Sequence, residues 1–142
     1  MAESAAGGRK MSEEELAYLE RVYQNQYVMI GNAINSALGE LQHLSSAEKA
    51  LESMDALAGK ESFSGIGADF YLKSQIKKDT KVVIGVGGGF MVEKDLDAAK
   101  QTVTKRIDAK NNMITKMVKS RKELEEAMVN IQSGIAPALN SE

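Results

Sequence analysis

The stretch Asp79–Ala99 reads DTKVVIGVGGGFMVEKDLDAA and changes character twice. Its β-branched run Val82–Val86 is typical of a strand, and the glycines Gly87–Gly89 predict a tight turn before the next apolar residues. Asp95 is then suited to cap a helix, and Asp97 complements the positive end of its dipole. The stretch therefore predicts a β-hairpin that leads directly into a helix.

A second β segment precedes this hairpin. Phe70–Ile76 starts apolar and then partly alternates, and the polar run Lys77–Lys81 follows it as a turn. Together the two segments form an insert at about residues 62–93, rich in Gly. Isolated hairpins are marginal in water because their faces and edges stay uncovered. The insert therefore predicts an oligomer.

Long heptad repeats flank the insert. A first helix is predicted over residues 12–58, because Ser12 and Glu15 match a capping box. One heptad position is apolar throughout: Leu16, Tyr23, Ile30, Ala37, Leu44, Leu51 and Ala58. Its companion position holds Leu19, Tyr27, Ile34, Leu41, Ala47 and Met54. Such a sustained repeat predicts a coiled coil, and each of Gly31 and Gly39 weakens the helix by about 1 kcal/mol, so we expect bending or fraying there.

A second helix is predicted from Asp95 to about residue 132. Its heptad positions are Leu96, Val103, Lys110, Met117, Leu124 and Ile131. The companion stripe is Ile107, Ile114 and Met128, interrupted by Lys100 and Arg121. Two helices of similar length on either side of an insert most simply fold back as an antiparallel hairpin. The segments 1–11 and 133–142 are predicted to be disordered tails around this single domain, 12–132.

Composition excludes several classes of function. Eighteen basic and twenty acidic residues give a net charge of −2, which offers no general attraction to nucleic acid or anionic lipid. The absence of Cys excludes disulfides and thiolate sites. The apolar stretches are too short for a membrane-spanning helix. We therefore expect a cytoplasmic protein without nucleic-acid or membrane partners.

No catalytic site can be assembled from these residue types. The glycine-rich run Gly85–Phe90 could suggest a phosphate-binding loop, but Phe90 stands where a dinucleotide fingerprint needs Gly, and no G-K-S/T follows. His43 is the only His, and a metal site needs several converging ligands. We expect no enzyme, no cofactor and no metal.

The insert resembles the double-hairpin region of the α-type subunits of the prefoldin family. The similarity lies in the D-T-x-x-V turn and strand, the V-G-x-G bend and the V-E-K entry into a coiled-coil helix. This resemblance implies that two α-type and four β-type subunits form a double β-barrel with six coiled-coil arms. The arm tips would hold unfolded polypeptides and pass them to a group II chaperonin without nucleotide.

The resemblance also assigns roles to residues. The hairpin residues for assembly would be Ile66, Phe70, Leu72, Ile76, Val82, Ile84, Val86, Phe90 and Val92. The turn glycines would be Gly67, Gly85, Gly87, Gly88 and Gly89. Relatives usually show an aliphatic stretch with Pro before the first bend, whereas Glu61–Gly65 is ESFSG here, so it stays open whether the first strand forms fully.

The arm tips can be interpreted in two ways. The apolar residues expected there are Leu16, Leu19, Val22, Tyr23, Leu124, Met128 and Ile131. They could be the last layers of the coiled-coil seam, or they could bind unfolded chains when the tip frays.

Two other functions stay open at this stage. A structural coiled-coil protein could use the same hairpins to polymerise into filaments. A coiled-coil factor that enters a polymerase channel is a weaker candidate, because it would favour acidic residues at the helix–helix turn, where this chain has a glycine-rich β segment.

Overall fold

The computed structural model describes residues 11–133. The elements follow in the order α1 (Glu13–Glu52), α2 (Met54–Leu57), β1 (Glu61–Gly67), β2 (Phe70–Gln75), β3 (Val82–Gly87), β4 (Phe90–Lys94) and α3 (Leu96–Gln132). The predicted mainly helical chain with two hairpins between long helices is confirmed. Most of the predicted tails, 1–10 and 134–142, lie outside the described residues. Within residues 11–133, no helix is both long and apolar enough to cross a membrane.

The start of α1 is fixed by the predicted capping box. The backbone N–H of Ser12 donates to Glu15 Oε2 at 2.9 Å, and the backbone N–H of Glu15 donates to Ser12 Oγ at 3.2 Å. Glu13 and Glu14 add negative charge to the same turn, where the positive end of the helix dipole lies. Two backbone donors that the helix itself cannot satisfy are thus satisfied locally.

The helix predicted over residues 12–58 is interrupted near its end. α1 stops at Glu52, and the short helix α2 resumes at Met54. The hydroxyl of Ser53 donates to the carbonyl of Lys49 at 2.9 Å, and its N–H is shared between the carbonyls of Lys49 and Ala50. A Ser side chain that bonds to the preceding turn in this way competes with the regular helix ladder and bends it.

The described residues form two compact units. We name residues 11–39 and 111–133 the distal unit and residues Glu40–Lys110 the basal unit. In the distal unit, α1 and α3 pack around Tyr23, Leu124, Ala127 and Ile131, each at most 8% exposed. Six partly buried residues pack against this group: Leu16, Leu19, Val22, Tyr27, Ile30 and Met128. The antiparallel seam that the heptads predict is therefore formed.

A polar pair flanks the seam at Tyr27. Its hydroxyl donates to Glu125 Oε1 at 2.9 Å, and the Arg121 guanidinium lies 6.0 Å from the ring centroid. The hydrogen bond to Glu125 is the main cause that raises the pKa of Tyr27 above its ordinary value. Arg121, which interrupts the apolar stripe in the sequence, therefore covers an aromatic ring of the facing helix.

The basal unit contains two antiparallel hairpins, β1–β2 and β3–β4, in separate two-stranded sheets. They repeat one pattern twenty residues apart, GIGADFYL from Gly65 and GVGGGFMV from Gly85. In each, the register shifts between the first and second Gly, so Gly67 faces Phe70 and Gly87 faces Phe90. The repeat in sequence is therefore a repeat of one hairpin geometry.

The two turns need left-handed backbone. Gly87, Gly88 and Gly89 have φ of 102°, 60° and 80°, and Gly has no Cβ to oppose such angles. The other hairpin places Ala68 and Asp69 at φ of 49° and 62° instead. Positive φ at both central residues is the requirement of a type I′ turn, which Gly meets best. The β1–β2 turn is therefore the more strained of the two.

The first strand, whose formation the sequence leaves open, is formed. β1 covers seven residues, and pairs with β2 from Glu61 opposite Gln75 to Gly67 opposite Phe70. The hydroxyls of Ser62 and Ser74 lie 2.9 Å apart, and Lys73 Nζ lies 3.5 Å from Glu61 Oε1. Polar cross-strand pairs here replace the aliphatic residues that the family pattern uses.

Four contacts connect the hairpins to the helices within the basal unit. Lys81 pairs with Asp95, the residue directly before α3, and Arg106 Nη2 donates to the carbonyl of Gly85 at 3.0 Å. Lys94 Nζ donates to Thr102 Oγ1 at 3.1 Å, and the N–H of Gly59 donates to the carbonyl of Ile76 at 2.7 Å. Two of the four, those of Arg106 and Thr102, hold β3–β4 against α3, whereas Lys81–Asp95 and Gly59–Ile76 join residues that flank these elements.

Truncating the distal seam should destabilise the protein. Leu124→Ala removes a side chain that is 6% exposed, so we expect a loss of about 3 kcal/mol in the free energy of unfolding. Denaturant unfolding followed by circular dichroism measures it. Val129→Ala, at a position 61% exposed on the same helix, is the control and should stay within about 0.5 kcal/mol. Equal losses in both variants would contradict this packing.

The left-handed backbone at the turn should make Gly87→Ala costly. A Cβ there meets no atom within 4 Å, so the cost of about 1–3 kcal/mol would come from φ alone. Gly85→Ala is the matched control, since its Cβ also meets nothing and its φ is not positive. Thermal unfolding should show a lower Tm for Gly87→Ala only. An equal drop in both variants would contradict a cost that comes from the positive φ.

Candidate assembly and binding surfaces

The β1–β2 hairpin exposes apolar side chains on both of its faces. Phe63 and Tyr71 lie on one face and are 63% and 61% exposed, while Leu72 lies on the other at 57%. Ile66 and Phe70, next to the turn, are also exposed. Partial burial is confined to Ser62 and Ser74 among the residues of these two strands. Neither face of this hairpin is therefore covered by the described chain.

The β3–β4 hairpin has one inner side. Val82, Ile84 and Lys94 are half-buried, and successive residues on a strand point to opposite faces. The opposite face carries Val83 and Met91, and Phe90 beside the turn is 74% exposed. This hairpin thus contacts its own helices on one side and presents the other side.

A groove of about 260 Å³ runs between this inner side and the helices of the basal unit. The apolar side chains of Leu44, Leu51, Val82, Ile84 and Val103 are among its lining, with Arg106 at one margin. Ala99, also in the lining, is 1% exposed. The groove is therefore an open space that β3 and the two helix segments border.

The structure divides the predicted assembly residues into two groups. Those that are exposed are Ile66, Phe70, Leu72, Val86, Phe90 and Val92. Val82 and Ile84 face the helices, and Ile76 follows the end of β2, where it bridges to Ala58. Among the predicted turn glycines, Gly85 is a strand residue opposite Met91, whereas the other four have positive φ.

All seven residues predicted at the arm tip belong to one packed group in the distal unit. Tyr23, Leu124 and Ile131 are buried, and Leu16, Leu19, Val22 and Met128 pack against them. Burial raises the pKa of Tyr23. In this closed arrangement the seven side chains mainly contact one another, as seam layers do.

Sequence reasoning missed several exposed apolar residues. Tyr18 is 65% exposed and Met29 is 69% exposed, and both share a helix face with half-buried Val22, because they lie four residues before it and seven residues after it. They stand outside the heptad positions, so the repeat gave no signal for them. In the hairpins, the sequence analysis missed Phe63, Tyr71, Val83 and Met91. The assembly residues that it named lie mostly at alternate positions, on one face of each strand, and these four lie on the other face.

Within residues 11–133, His, Asp and Glu side chains form no group that could hold a metal ion. The run Gly87–Gly89 forms a hairpin turn, which accounts for its glycines without a phosphate ligand. Arms with an apolar seam and hairpins with exposed apolar faces can bind other polypeptides by burying that surface.

Comparison with known proteins identifies the same architecture. The family Prefoldin, described as prefoldin subunit, matches residues 23–140. Curated proteins named prefoldin subunit alpha are similar to this chain: that of Methanobrevibacter smithii is 25% identical over 60% of the chain, and that of Thermofilum pendens 31% over 62%. The aligned regions span 58% and 60% of those two relatives.

A solved structure has the same fold. The filamentous PFD of Methanocaldococcus jannaschii, determined by cryo-EM, superimposes with a TM-score of 0.71 at 19% identity, over 84% of this chain and 98% of that one. The family match covers most of the chain, and the curated relatives are all α subunits. This chain therefore belongs to the prefoldin family, as an α-type subunit.

Proposed function

We propose that this chain is a subunit of an ATP-independent, cytoplasmic holdase that binds unfolded polypeptides and passes them to a group II chaperonin. One observation carries the proposal: this member of the prefoldin family has two kinds of apolar surface. In the basal unit, the hairpins expose apolar side chains that the described chain does not cover. In the distal unit, the helices form an apolar seam with an exposed apolar stripe beside it. The hairpins would assemble the complex, and the distal arm would hold the substrate. The partners are β-type subunits, four for every two copies of this chain.

Assembly through the hairpins is supported by their exposure. Ten bulky apolar side chains of β1–β4 are exposed: Phe63, Ile66, Phe70, Tyr71, Leu72, Val83, Val86, Phe90, Met91 and Val92. Full burial of one such side chain is worth about 1.5–3 kcal/mol. Both two-stranded sheets also have free edges, which other strands can extend. If partner hairpins closed these edges into a barrel, the apolar side chains would be buried and the strand edges would be paired at the same time.

Capture at the distal arm would use two sets of residues. The seam residues Leu16, Leu19, Val22, Tyr23, Leu124, Met128 and Ile131 become available when the arm end opens. The stripe of Tyr18, Val22 and Met29 is partly available in the closed arm. A flexible Met and a Tyr with one polar end suit contact with many unrelated sequences.

Filament formation is the second candidate function. It would use the same uncovered hairpins, and the similar protein from Methanocaldococcus jannaschii is described as filamentous. Removal of about ten residues from the tip of each arm helix, the start of α1 and the end of α3, separates the two functions. A holdase should still assemble but lose substrate binding, which is its activity, whereas a filament protein should keep its whole activity, filament formation.

Polar substitutions at the hairpin turns should prevent assembly. Phe70→Ser with Phe90→Ser replaces two side chains that are 67% and 74% exposed in the single chain. We expect the dissociation constant of the complex to rise by at least about a hundredfold, since each lost Phe contact contributes about 1.5–3 kcal/mol. Light scattering with size-exclusion chromatography of the chain co-expressed with a β-type partner, over a dilution series, gives the dissociation constant from the fall in mass. An unchanged mass would contradict assembly through the hairpins.

Polar substitutions on the stripe should affect holding and leave assembly unchanged. For Tyr18→Ser with Met29→Ser, we expect the concentration that half-suppresses aggregation of a denatured substrate to rise about fivefold to tenfold, because roughly 1–1.4 kcal/mol of apolar contact is lost. Val28→Ser is the matched control, since Val28 is 51% exposed and points to a different helix face. Equal effects of stripe and control variants would contradict a specific capture face.

A further inference from the structure

The end of the arm carries a net charge that the basal unit lacks. We name residues 13–29 of α1 and 122–132 of α3 the arm end, since both belong to the distal unit and pack around one buried cluster. The arm end holds seven acidic and two basic residues, whereas the basal unit holds eleven of each. A net charge of −5 therefore lies in the same part of the chain as the stripe of Tyr18, Val22 and Met29.

Most of these carboxylates have no partner inside the described chain. Glu15 belongs to the capping box, and Glu125 accepts the hydrogen bond from Tyr27. Among residues 11–133, the side chains of the other five make neither an ion pair nor a hydrogen bond: Glu13, Glu14, Glu20, Glu123 and Glu126. The dipole of α1 accounts for negative charge in its first turn, but helix dipoles give no such support in the second half of α3. Internal contacts therefore do not explain why the arm end is acidic.

The α1 side of the stripe carries charges of both signs. Glu14 precedes Tyr18 by four residues, so the two side chains lie one turn apart on the same helix face. Arg21 follows Tyr18 by three residues and is one of the two cations of the arm end, with Lys122 as the other. On α1 alone, the charges beside the stripe therefore balance.

The α3 side of the stripe carries two carboxylates. Tyr27 and Glu125 meet on one flank of the seam. A helix turns by about 100° per residue, so Val22, five residues before Tyr27, lies on the opposite flank of α1. Glu123, two residues before Glu125, lies on that opposite flank of α3, and Glu126 is its neighbour three residues later. The carboxylates of α3 therefore border the flank along which the stripe runs.

We propose that the arm end selects unfolded segments in which apolar residues are flanked by Lys or Arg. The apolar residues of such a segment contact the stripe, and its cations lie against Glu14, Glu123 and Glu126. Fixed negative charge around a binding surface raises the association rate of a cationic ligand by about tenfold or more. The same charge disfavours segments flanked by Asp or Glu, because like charges repel. The inference rests on the proposed function and adds the chemical class of the substrate.

Association rates of matched peptides with the full chain, assembled with its β-type partner, test this preference. Three unfolded peptides share one apolar centre and carry Lys, Glu or Gln at both flanks. At about 0.1 M salt, the Lys peptide should associate about tenfold faster than the Glu peptide. At about 1 M salt, the Debye length falls from about 10 Å to about 3 Å, so the two rates should agree within about twofold. Stopped-flow fluorescence measures the rates.

Glu14→Gln with Glu123→Gln and Glu126→Gln should lower the ratio of the two rates at about 0.1 M salt to about threefold. The matched control removes three carboxylates from helices of the basal unit and should leave the ratio unchanged: Glu48→Gln, Glu52→Gln and Asp108→Asn.

Equal association of the Lys and Glu peptides with the original complex at about 0.1 M salt would overturn the proposal. An unchanged ratio in the arm-end variant would overturn it as well, since these carboxylates would then serve another contact, such as one with a folded partner. An equal fall of the ratio in the control would do the same, because the preference would then follow the total charge of the chain. Binding of none of the three peptides would count against the proposed function itself, and the preference would fall with it.

Discussion

The uncovered apolar surface of the two hairpins is the constraint on which the rest of the structure depends. A two-stranded hairpin with exposed Phe, Tyr, Leu and Met side chains on short strands gains little from its own packing. β3–β4 is held by Lys81, Lys94 and Arg106 through contacts that bind one side only. The described residues, 11–133, do not bury the opposite side. Under the proposed function, hairpins of partner subunits would cover it.

The two long helices are stabilised by contacts with each other. In the distal unit, a thin seam of Tyr, Leu, Ala and Ile replaces a globular core, so stability is spread over many layers and no single layer is indispensable. Positions that would interrupt an apolar stripe are used for contacts between helices, as with Arg121 above the Tyr27 ring. In the basal unit, Lys110 likewise pairs with Glu40 of the facing helix. The same architecture leaves apolar residues such as Met29 on the outer surface, where a globular domain would bury them.

Much of this fold can be predicted from the sequence because its signals are periodic. The heptads from Leu16 to Ile131, the Ser12–Glu15 capping box and the start of α3 after Asp95 are all local patterns with one physical meaning. The interruption at Ser53 could not be predicted, because a Ser hydroxyl bonds to the preceding turn in some helices and to water in others. The sequence left the strand at Glu61–Gly65 open, because its pairing depends on the cross-strand contacts of Ser62 with Ser74 and of Glu61 with Lys73, which no local pattern shows.

The binding surfaces were harder to predict than the fold. A heptad repeat identifies which residues can lie in the seam between two helices, and the predicted tip surface consisted of these same residues. Exposure, however, depends on which faces of a helix the facing helix leaves uncovered, and the repeat does not give this. Tyr18 and Met29 illustrate this, because they lie outside the repeating apolar positions and so look like isolated apolar residues in the sequence. The positive φ angles of Ala68 and Asp69 could not be predicted from the sequence either, because neither Ala nor Asp requires a left-handed backbone.

Hydroxyl-radical labelling of the side chains, read by mass spectrometry, tests the central claim most directly. The chain would be compared in its dissociated state and in complex with a β-type partner. Our account predicts that labelling of Phe70, Phe90 and Met91 falls at least about fivefold on assembly, because these exposed side chains become buried in the interface. Tyr18 and Met29 should stay labelled until an unfolded substrate is added. Hairpin side chains that remain fully labelled in the complex would contradict the account.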